Sequence, residues 1–195
     1  MKVLRLNIND YDDDFCQREL SHMEDSKRER ALRFIDPADR KLCILGDYAV
    51  RALVSGSTGI PSCDVRITSG EYGAPFVSYP EDTGLYCSIS HAGEYAAACI
   101  DNIPVGIDIE LISSCDLRLA DKICTQAELS YVRESGKQGL CRIWTVKEAL
   151  LKSRGTGITD LNDLKEISAF DLPEGYYANT EEISGQYMIS VISRK

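Results

Sequence analysis

The 195-residue sequence is poor in positive charge and in histidine, and each shortage excludes a class of ligand. It carries 22 Lys and Arg against 31 Asp and Glu, and the formal charge of −9 argues against general nucleic-acid binding, which needs a basic surface. Two histidines, and eight cysteines without a CxxC pair, are too few and too scattered for a zinc site of ordinary spacing. We expect neither nucleic acid nor zinc as a ligand.

Long apolar runs are missing as well. No segment has enough consecutive apolar residues to cross a membrane, and the N-terminus interrupts its apolar residues with charges, unlike a signal peptide. We therefore expect no membrane partner and interpret the cysteines as reduced thiols of a cytoplasmic protein. A GxxxxGK(S/T) loop is also absent, which argues against an ordinary ATPase.

Two segments about half a chain apart resemble each other. Residues 51–60 (RALVSGSTGI) align with 149–158 (ALLKSRGTGI) and match Ile60 with Ile158, and at the same offset KRERALRF (27–34) falls on TQAELSYV (125–132). Each pair indicates a helix that leads, after a short break, into a second apolar helix. Thr125 and Glu128 have the spacing of a capping box.

Strand candidates recur in both halves: KVLRLNI, LYCSIS and EYAAACI, then VGIDIE, KEISAF and GQYMISVI. Short helix-to-glycine endings can look alike by chance. We prefer a tandem pair of similar α+β subdomains, residues 1–102 and 103–195, joined near Asn102–Pro104. A cleft between such halves is a natural ligand site.

Acidic residues of two segments are candidate metal ligands. In VGIDIE, strand alternation projects Asp108 and Glu110 from one face, although an edge strand with a solvated acidic face gives the same pattern. In IWTVKEALLK, helical spacing places Glu148 one turn from Lys152. The three carboxylates would suit Mg²⁺ and, through it, a diphosphate.

Lys147 and Lys152 would then neutralise phosphate charge during displacement at phosphorus. An ordinary solvated helix face is the alternative for this helix. Ser90 and His91 in SISHAG offer hydroxyl and imidazole donors to an anion, although a lone histidine at a strand end is more often structural. The main basic concentration of the chain consists of Lys27, Arg28, Arg30, Arg33, Arg40 and Lys41, which a solvated helix would also explain.

In this order the motifs resemble the Sfp-type 4′-phosphopantetheinyl transferase family. KRERALRF, LGDYAVR, EYGAPFV, SISHAG, VGIDIE and WTVKEALLK follow the family's sequence of motifs over about residues 20–160. The most specific parts are the GID-x-E strand and the W-x-x-KE-x-x-x-K helix together. The resemblance implies two similar α+β subdomains in a pseudo-twofold arrangement, with coenzyme A bound in the cleft between them.

The resemblance also implies roles for single residues. Asp108, Glu110 and Glu148 match the family's Mg²⁺ ligands, with Glu148 or Glu110 as the base that takes the proton of the carrier serine. Lys152 matches the lysine that contacts the coenzyme A phosphates and assists the leaving group. Other candidate contacts to coenzyme A are Ser90 and His91, at the nucleotide phosphates, and Lys27, Arg30 and Arg40, at the 3′-phosphate and diphosphate.

The implied reaction moves 4′-phosphopantetheine from coenzyme A to a serine of an apo acyl or peptidyl carrier protein, and releases adenosine 3′,5′-bisphosphate. The implied state is a monomer that contains a pseudo-dimer. Two departures stand out: Ala74 replaces a lysine that the family often has before the proline of EYGAPFV, and the chain is acidic although carrier proteins are acidic too. Arg118 and Lys122, beside Leu117, Leu119 and Ile123, are a candidate docking surface or simply an amphipathic helix.

Two other functions use the same residues. A different Mg²⁺-dependent phosphotransferase or nucleotide hydrolase would need the same three acids. A binding module would hold coenzyme A or a carrier protein without turnover. The presence of all three acids together with Lys152 favours the transferase, since a site without chemistry has no need of every one.

Overall fold

Two three-stranded antiparallel sheets, each with one long helix, form the framework of the computed structural model, which describes residues 1–157 and 161–194. The strands are β1 (Lys2–Asn7), β2 (Arg66–Ser69), β3 (Pro75–Tyr79), β4 (Tyr86–Ala92), β5 (Tyr95–Asp101), β6 (Val105–Leu111), β7 (Tyr176–Ile183) and β8 (Tyr187–Arg194). The α-helices are α1 (Asp13–His22), α2 (Asp25–Arg33), α3 (Pro37–Thr58), α4 (Ala120–Ile123) and α5 (Gln126–Ser153). None of the described helices is long and apolar enough to span a membrane.

The two halves share one topology. The first sheet has the strand order β1-β5-β4 and the second β6-β8-β7, so in each half the last strand lies in the centre and the first strand at an edge. A long helix, α3 or α5, follows the first strand of each half. The prediction of two similar α+β halves is therefore confirmed.

The predicted boundary between the halves stays a proposal. β5 ends at Asp101 and β6 begins at Val105, so the proposed division at 102/103 falls in the connection between them. Ile158, the last residue of the aligned repeat, lies outside the described residues.

A break within the helices also recurs in both halves. In the first half α2 and α3 are separate helices, whereas in the second α5 is interrupted at Gly136, whose φ of 63° and ψ of −139° suit glycine. The Thr125 hydroxyl accepts from the Glu128 amide and the Glu128 carboxylate accepts from the Thr125 amide, which confirms the capping box.

One strand prediction is wrong. Residues 161–166 form a 3₁₀ turn, so KEISAF is not a strand, and the third strand of the second sheet is β7. Ile167 and Ala169 of this segment pack instead against the buried face of α5. A short apolar run cannot by its periodicity distinguish a strand from a turn that covers a core.

The second half depends on a close approach of strand β6 to helix α5. An added Cβ on Gly106 would lie 1.9 Å from the Ala149 carbonyl oxygen and 2.6 Å from the Ser153 amide nitrogen. Both obstacles are backbone atoms of a helix whose apolar side chains are buried, so neither can move aside easily. Only glycine permits this contact.

We expect Gly106→Ala to lower the free energy of unfolding by about 3 kcal/mol or more, because overpacking costs about 1–3 kcal/mol even where neighbours can shift. Urea denaturation of the purified variant measures the change. Gly56→Ala is the matched control: this exposed glycine of α3 has no described atom within 4 Å of an added Cβ, and we expect about 0.5–1 kcal/mol of stabilisation. Equal stability of the Gly106 variant and the parent would contradict the argument.

Candidate active site

Three side chains from both halves of the chain meet at one point between the sheets. The Lys152 ammonium donates to the Asp108 carboxylate at 2.6 Å and to the Ser90 hydroxyl at 3.0 Å, and the Ser90 hydroxyl donates to the same Asp108 oxygen at 2.8 Å. Ser90 lies on β4, Asp108 on β6 and Lys152 near the end of α5. The structure thus brings together three of the predicted site residues.

A neighbouring contact holds β4 and β6 together beside Ser90 and Asp108. The amide of Ile107 donates to the Ser88 hydroxyl at 3.2 Å, which joins β6 to β4 across the two halves. Ile107 and Ile109 alternate with the acidic residues and are fully buried, as strand alternation predicts. Asp108 is also buried, so its carboxylate depends on protein partners.

Glu110 and Glu148 lie in the electrostatic field of Asp108. Burial first, and then the Asp108 charge, raises the pKa of Glu110 to about 7, while Lys152 and a hydrogen bond from the Trp144 indole oppose the rise. Burial and Asp108 likewise raise the pKa of Glu148 to about 7. Burial alone would lower the pKa of Lys152, but the adjacent Asp108 carboxylate raises it. Mutual repulsion of this kind indicates that the three carboxyls face one region.

The carboxylates of these residues are suitable ligands for a hard divalent cation, but they are not gathered closely enough to bind one ion together. The Asp108 Oδ2 atom is buried and has no hydrogen-bond partner within the described part of the chain, which leaves one oxygen free for a ligand. Yet no three acidic, histidine or cysteine side chains in residues 1–157 and 161–194 are gathered closely enough to ligate one ion. Lys152 occupies the other Asp108 oxygen.

His91 and Arg30 belong to the same region. The His91 imidazole keeps an exposed surface. Even so, desolvation by surrounding atoms and the nearby Lys152 charge lower the pKa of His91. The Arg30 charge lowers this pKa further, whereas the Asp39 charge raises it. Arg30 of α2 and Lys152 of α5 therefore act on one histidine from the two halves of the chain. Of the predicted cationic contacts, Arg30 and Lys152 thus lie near His91.

Lys27 and Arg40 occupy different positions. The Lys27 ammonium lies 2.7 Å from the Asp47 carboxylate, which also accepts from buried Arg51 at 2.7 Å. Arg40 donates to the Phe34 carbonyl at 2.9 Å and lines a separate pocket beside α1. The structure does not bring Arg40 to the Ser90–Lys152 point.

Lys147 has a structural position, and the prediction that it neutralises phosphate is wrong. Its fully buried ammonium donates to the Glu128 carboxylate at 2.6 Å and to the carbonyls of Ile123 and Leu164 at 2.6 and 3.0 Å. All three ammonium protons are thus used. The other Glu128 oxygen accepts from the Ala169 amide at 2.6 Å, so this ion pair connects α5 to the segment after it.

A pocket of about 490 Å³ opens between the halves and reaches Lys152. Ala74, Phe76 of β3, Tyr86 of β4 and Arg154 are among its lining residues. The exposed aromatic rings of Phe76 and Tyr86 and the Arg154 guanidinium were missed from the sequence. The sequence offered one sign of a role for Arg154, namely its position two residues after Lys152.

A smaller pocket of about 160 Å³ lies beside Glu110 and Trp144. Cys115 and Leu119 form part of its wall. Of the candidate docking surface, Leu117 and Arg118 are exposed, but Ile123 is fully buried in the core and contributes no surface. The Arg118 guanidinium pairs with Asp116 at 2.6 Å.

Comparison with known proteins agrees with this geometry. Residues 11–101 match the family model of the 4′-phosphopantetheinyl transferase N-terminal domain, and residues 104–193 match that of the 4′-phosphopantetheinyl transferase superfamily. The 4′-phosphopantetheinyl transferase Sfp of Bacillus subtilis is 27% identical over 90% of this chain and 84% of its own length. The 4′-phosphopantetheinyl transferase gsp of Aneurinibacillus migulanus is 29% identical over 71% of this chain and 58% of its own.

A two-part α+β framework with an acidic and cationic cleft defines the class, and the matches cover nearly the whole chain in two consecutive parts. The chain belongs to the Sfp-type 4′-phosphopantetheinyl transferase family.

The buried ion pair of Lys147 generates a stability prediction. Lys147→Met should lower the free energy of unfolding by about 3–5 kcal/mol, because Glu128 would keep a buried charge without a partner. Addition of Glu128→Gln should recover part of this loss. Denaturant titration measures both, with exposed Lys122→Met as a control that should stay within about 0.5 kcal/mol of the parent. An unchanged Lys147→Met midpoint would show that the pair is not structural.

Proposed function

We propose that this enzyme transfers the 4′-phosphopantetheine group from coenzyme A to a serine hydroxyl of an apo acyl or peptidyl carrier protein. The products would be the holo-carrier protein and adenosine 3′,5′-bisphosphate. The observation that carries the proposal is the meeting of Ser90, Asp108 and Lys152 between the halves, since Lys152 also lines the pocket there. A cation beside a carboxylate oxygen without a described partner supports the binding of a diphosphate at this point.

We assign the roles at the reacting phosphorus as follows. Lys152 donates to a phosphate oxygen and neutralises charge that develops on the leaving group. Glu148 or Glu110 accepts the proton of the carrier serine, and a carboxylate pKa near 7 suits a general base at neutral pH. Trp144 would help to position Glu110, since the two side chains line one pocket.

Asp108, Glu110 and Glu148 would hold Mg²⁺ in this proposal. The free Asp108 Oδ2 atom and the hard carboxylate donors support it. Bound Mg²⁺ would supply charge neutralisation of the diphosphate. Because Lys152 holds the other Asp108 oxygen, the substrate phosphates would have to draw the ammonium partly away.

The pocket between the halves would hold the nucleotide of coenzyme A. Its volume of about 490 Å³ lies in the range of small-molecule sites, and Phe76 and Tyr86 offer rings for a base to stack on. Ser90, His91 and Arg30 would contact phosphates beside Lys152. Lys27, which has donors left beside Asp47, stays a candidate for the 3′-phosphate, and so does Arg40.

The two halves already enclose a cleft, so we propose a monomer with residues 1–102 and 103–195 as its subdomains. Reduced thiols support a cytoplasmic location. A binding module without turnover is the outcome that the following experiment would identify instead.

The test is incubation of the protein with an apo carrier protein, coenzyme A and Mg²⁺, followed by intact-mass measurement of the carrier. We expect a gain of one phosphopantetheine that EDTA prevents. Glu148→Gln should slow the transfer by about 100-fold or more, because a preorganised charge at the reacting centre is lost. Glu134→Gln, an exposed glutamate on the same helix, should leave the rate unchanged. Binding of coenzyme A with no mass gain on several carriers would contradict the transferase proposal.

The raised carboxyl pKa values predict how Mg²⁺ affinity depends on pH. Below about pH 7, Glu110 and Glu148 are largely protonated without metal, so Mg²⁺ must displace protons and binds more weakly. Affinity should therefore rise from pH 6 to pH 8 and release protons, which calorimetry in two buffers of different ionisation enthalpy measures. Affinity that does not change over this range would show that neither carboxyl ligates the ion.

A further inference from the structure

The LGDYAVR segment of α3 carries two buried charges, Asp47 and Arg51, that have no role in the function proposed above. They lie one helical turn apart, and both side chains are almost fully buried. The Arg51 guanidinium donates to the Asp47 Oδ1 atom at 2.7 Å. It also donates to the Glu19 carboxylate of α1 at 3.0 Å and to the Ser62 carbonyl at 3.1 Å. These contacts hold Arg51 in place, and Arg51 in turn fixes one oxygen of the Asp47 carboxylate.

The other Asp47 oxygen anchors helix α2. The Lys27 ammonium of α2 lies 2.7 Å from Asp47 Oδ2, and the Lys27 side chain is largely buried. Of the nine residues of α2, all of which the structure describes, only Ala31 is buried. The other ion pairs of α2 among the described residues join side chains within the helix. The position of α2 therefore depends mainly on Ala31 and on the Lys27–Asp47 ion pair.

We propose that Asp47 is a positioning residue for coenzyme A: its ion pair with Lys27 fixes α2 so that the cations of this helix face the nucleotide phosphates before the ligand binds. This inference rests on the proposed function and adds to it a residue that does not touch the ligand. Arg30 follows Lys27 by three residues and so lies on the same side of α2. Its charge reaches the candidate phosphate contact His91, whose pKa it lowers.

An anchor of this kind favours binding because it orders α2 in advance. Cations three residues apart on one helix repel each other, and ordering a loosely held helix when the ligand binds costs conformational entropy. The Asp47 carboxylate compensates the Lys27 charge and uses one of the three ammonium protons of that lysine. A phosphate would then meet Arg30 and the remaining Lys27 protons without the cost of ordering the helix.

The test replaces Asp47 by Asn, which has nearly the same volume but a single acceptor oxygen. Fully buried Arg51 should keep that oxygen, so the more exposed Lys27 loses its partner. We expect the KM for coenzyme A and the calorimetric Kd of adenosine 3′,5′-bisphosphate to rise by about tenfold or more, because charged phosphate contacts weaken. The kcat should stay within about twofold, because Glu148 and Lys152 are unchanged.

Glu19→Gln is the matched control for general loss of stability. It removes a charge beside the same buried Arg51 but leaves the Asp47–Lys27 ion pair intact. We expect it to lower the denaturant midpoint while KM and Kd stay at the parent values, since neither constant depends on how much of the enzyme is folded. An equal rise in both variants, or no rise in Asp47→Asn, would overturn the inference.

Amide hydrogen exchange of residues 25–33 decides the anchor even where Asp47→Asn does not fold. Lys27→Met removes the ion pair from the α2 side, while Asp47 keeps Arg51 as its partner. We expect α2 to be protected in the ligand-free parent and to exchange about tenfold faster in this variant. Arg28→Met, which loses only a pair within α2, should match the parent.

Equal exchange in the parent and both α2 variants would overturn the anchor. If the parent neither transfers phosphopantetheine nor binds adenosine 3′,5′-bisphosphate, the proposed function fails together with the role of Asp47 in binding. The exchange of α2 still decides in that case whether Asp47 holds the helix.

Discussion

The contact of β6 with α5 at Gly106 controls where the ionisable groups of the site meet. Because Gly106 has no side chain, β6 lies directly on the backbone of α5 near Ala149. Gly106 precedes Asp108 by two residues in the same strand. The Asp108 carboxylate consequently reaches the Lys152 ammonium at 2.6 Å. A side chain at position 106 would move β6 away from α5 and separate the Asp108 carboxylate from the Lys152 ammonium. The site therefore depends on Gly106 as directly as it depends on the carboxylates.

Buried charges in the chain fall into two kinds that differ in how fully they are satisfied. Lys147 and Glu128 have no exposed surface and use every donor and most acceptors on protein partners, which is the expected state of a structural pair. Asp108 is equally buried but leaves Oδ2 without a described partner. An unpaired buried oxygen costs folding free energy, and this supports the metal-ligand role proposed for Asp108.

Sequence reasoning succeeded where a pattern was long or reciprocal. The tandem halves and the Thr125–Glu128 capping box both follow from such spacing. Sequence reasoning failed where the direction of a side chain within one helical turn had to be predicted. Lys147 follows Trp144 by three residues, but it is rotated by about 100° around the helix axis from Glu148 and faces the core. Sequence reasoning also missed Arg154, because the pocket that this residue lines depends on β3 and β4 of the other half.

The overall acidity of the chain is a weak obstacle to an anionic substrate. Charges on the surface are screened beyond about 8 Å at physiological ionic strength, so the potential within the cleft depends on its own residues. There Lys152 keeps a raised pKa, Arg154 is a lining residue, and Arg30 acts on His91. Glu110 and Glu148, with pKa values of about 7, carry only part of their negative charge near neutrality. The cleft is therefore much less acidic than the net charge of −9 implies, and a diphosphate would meet cations first.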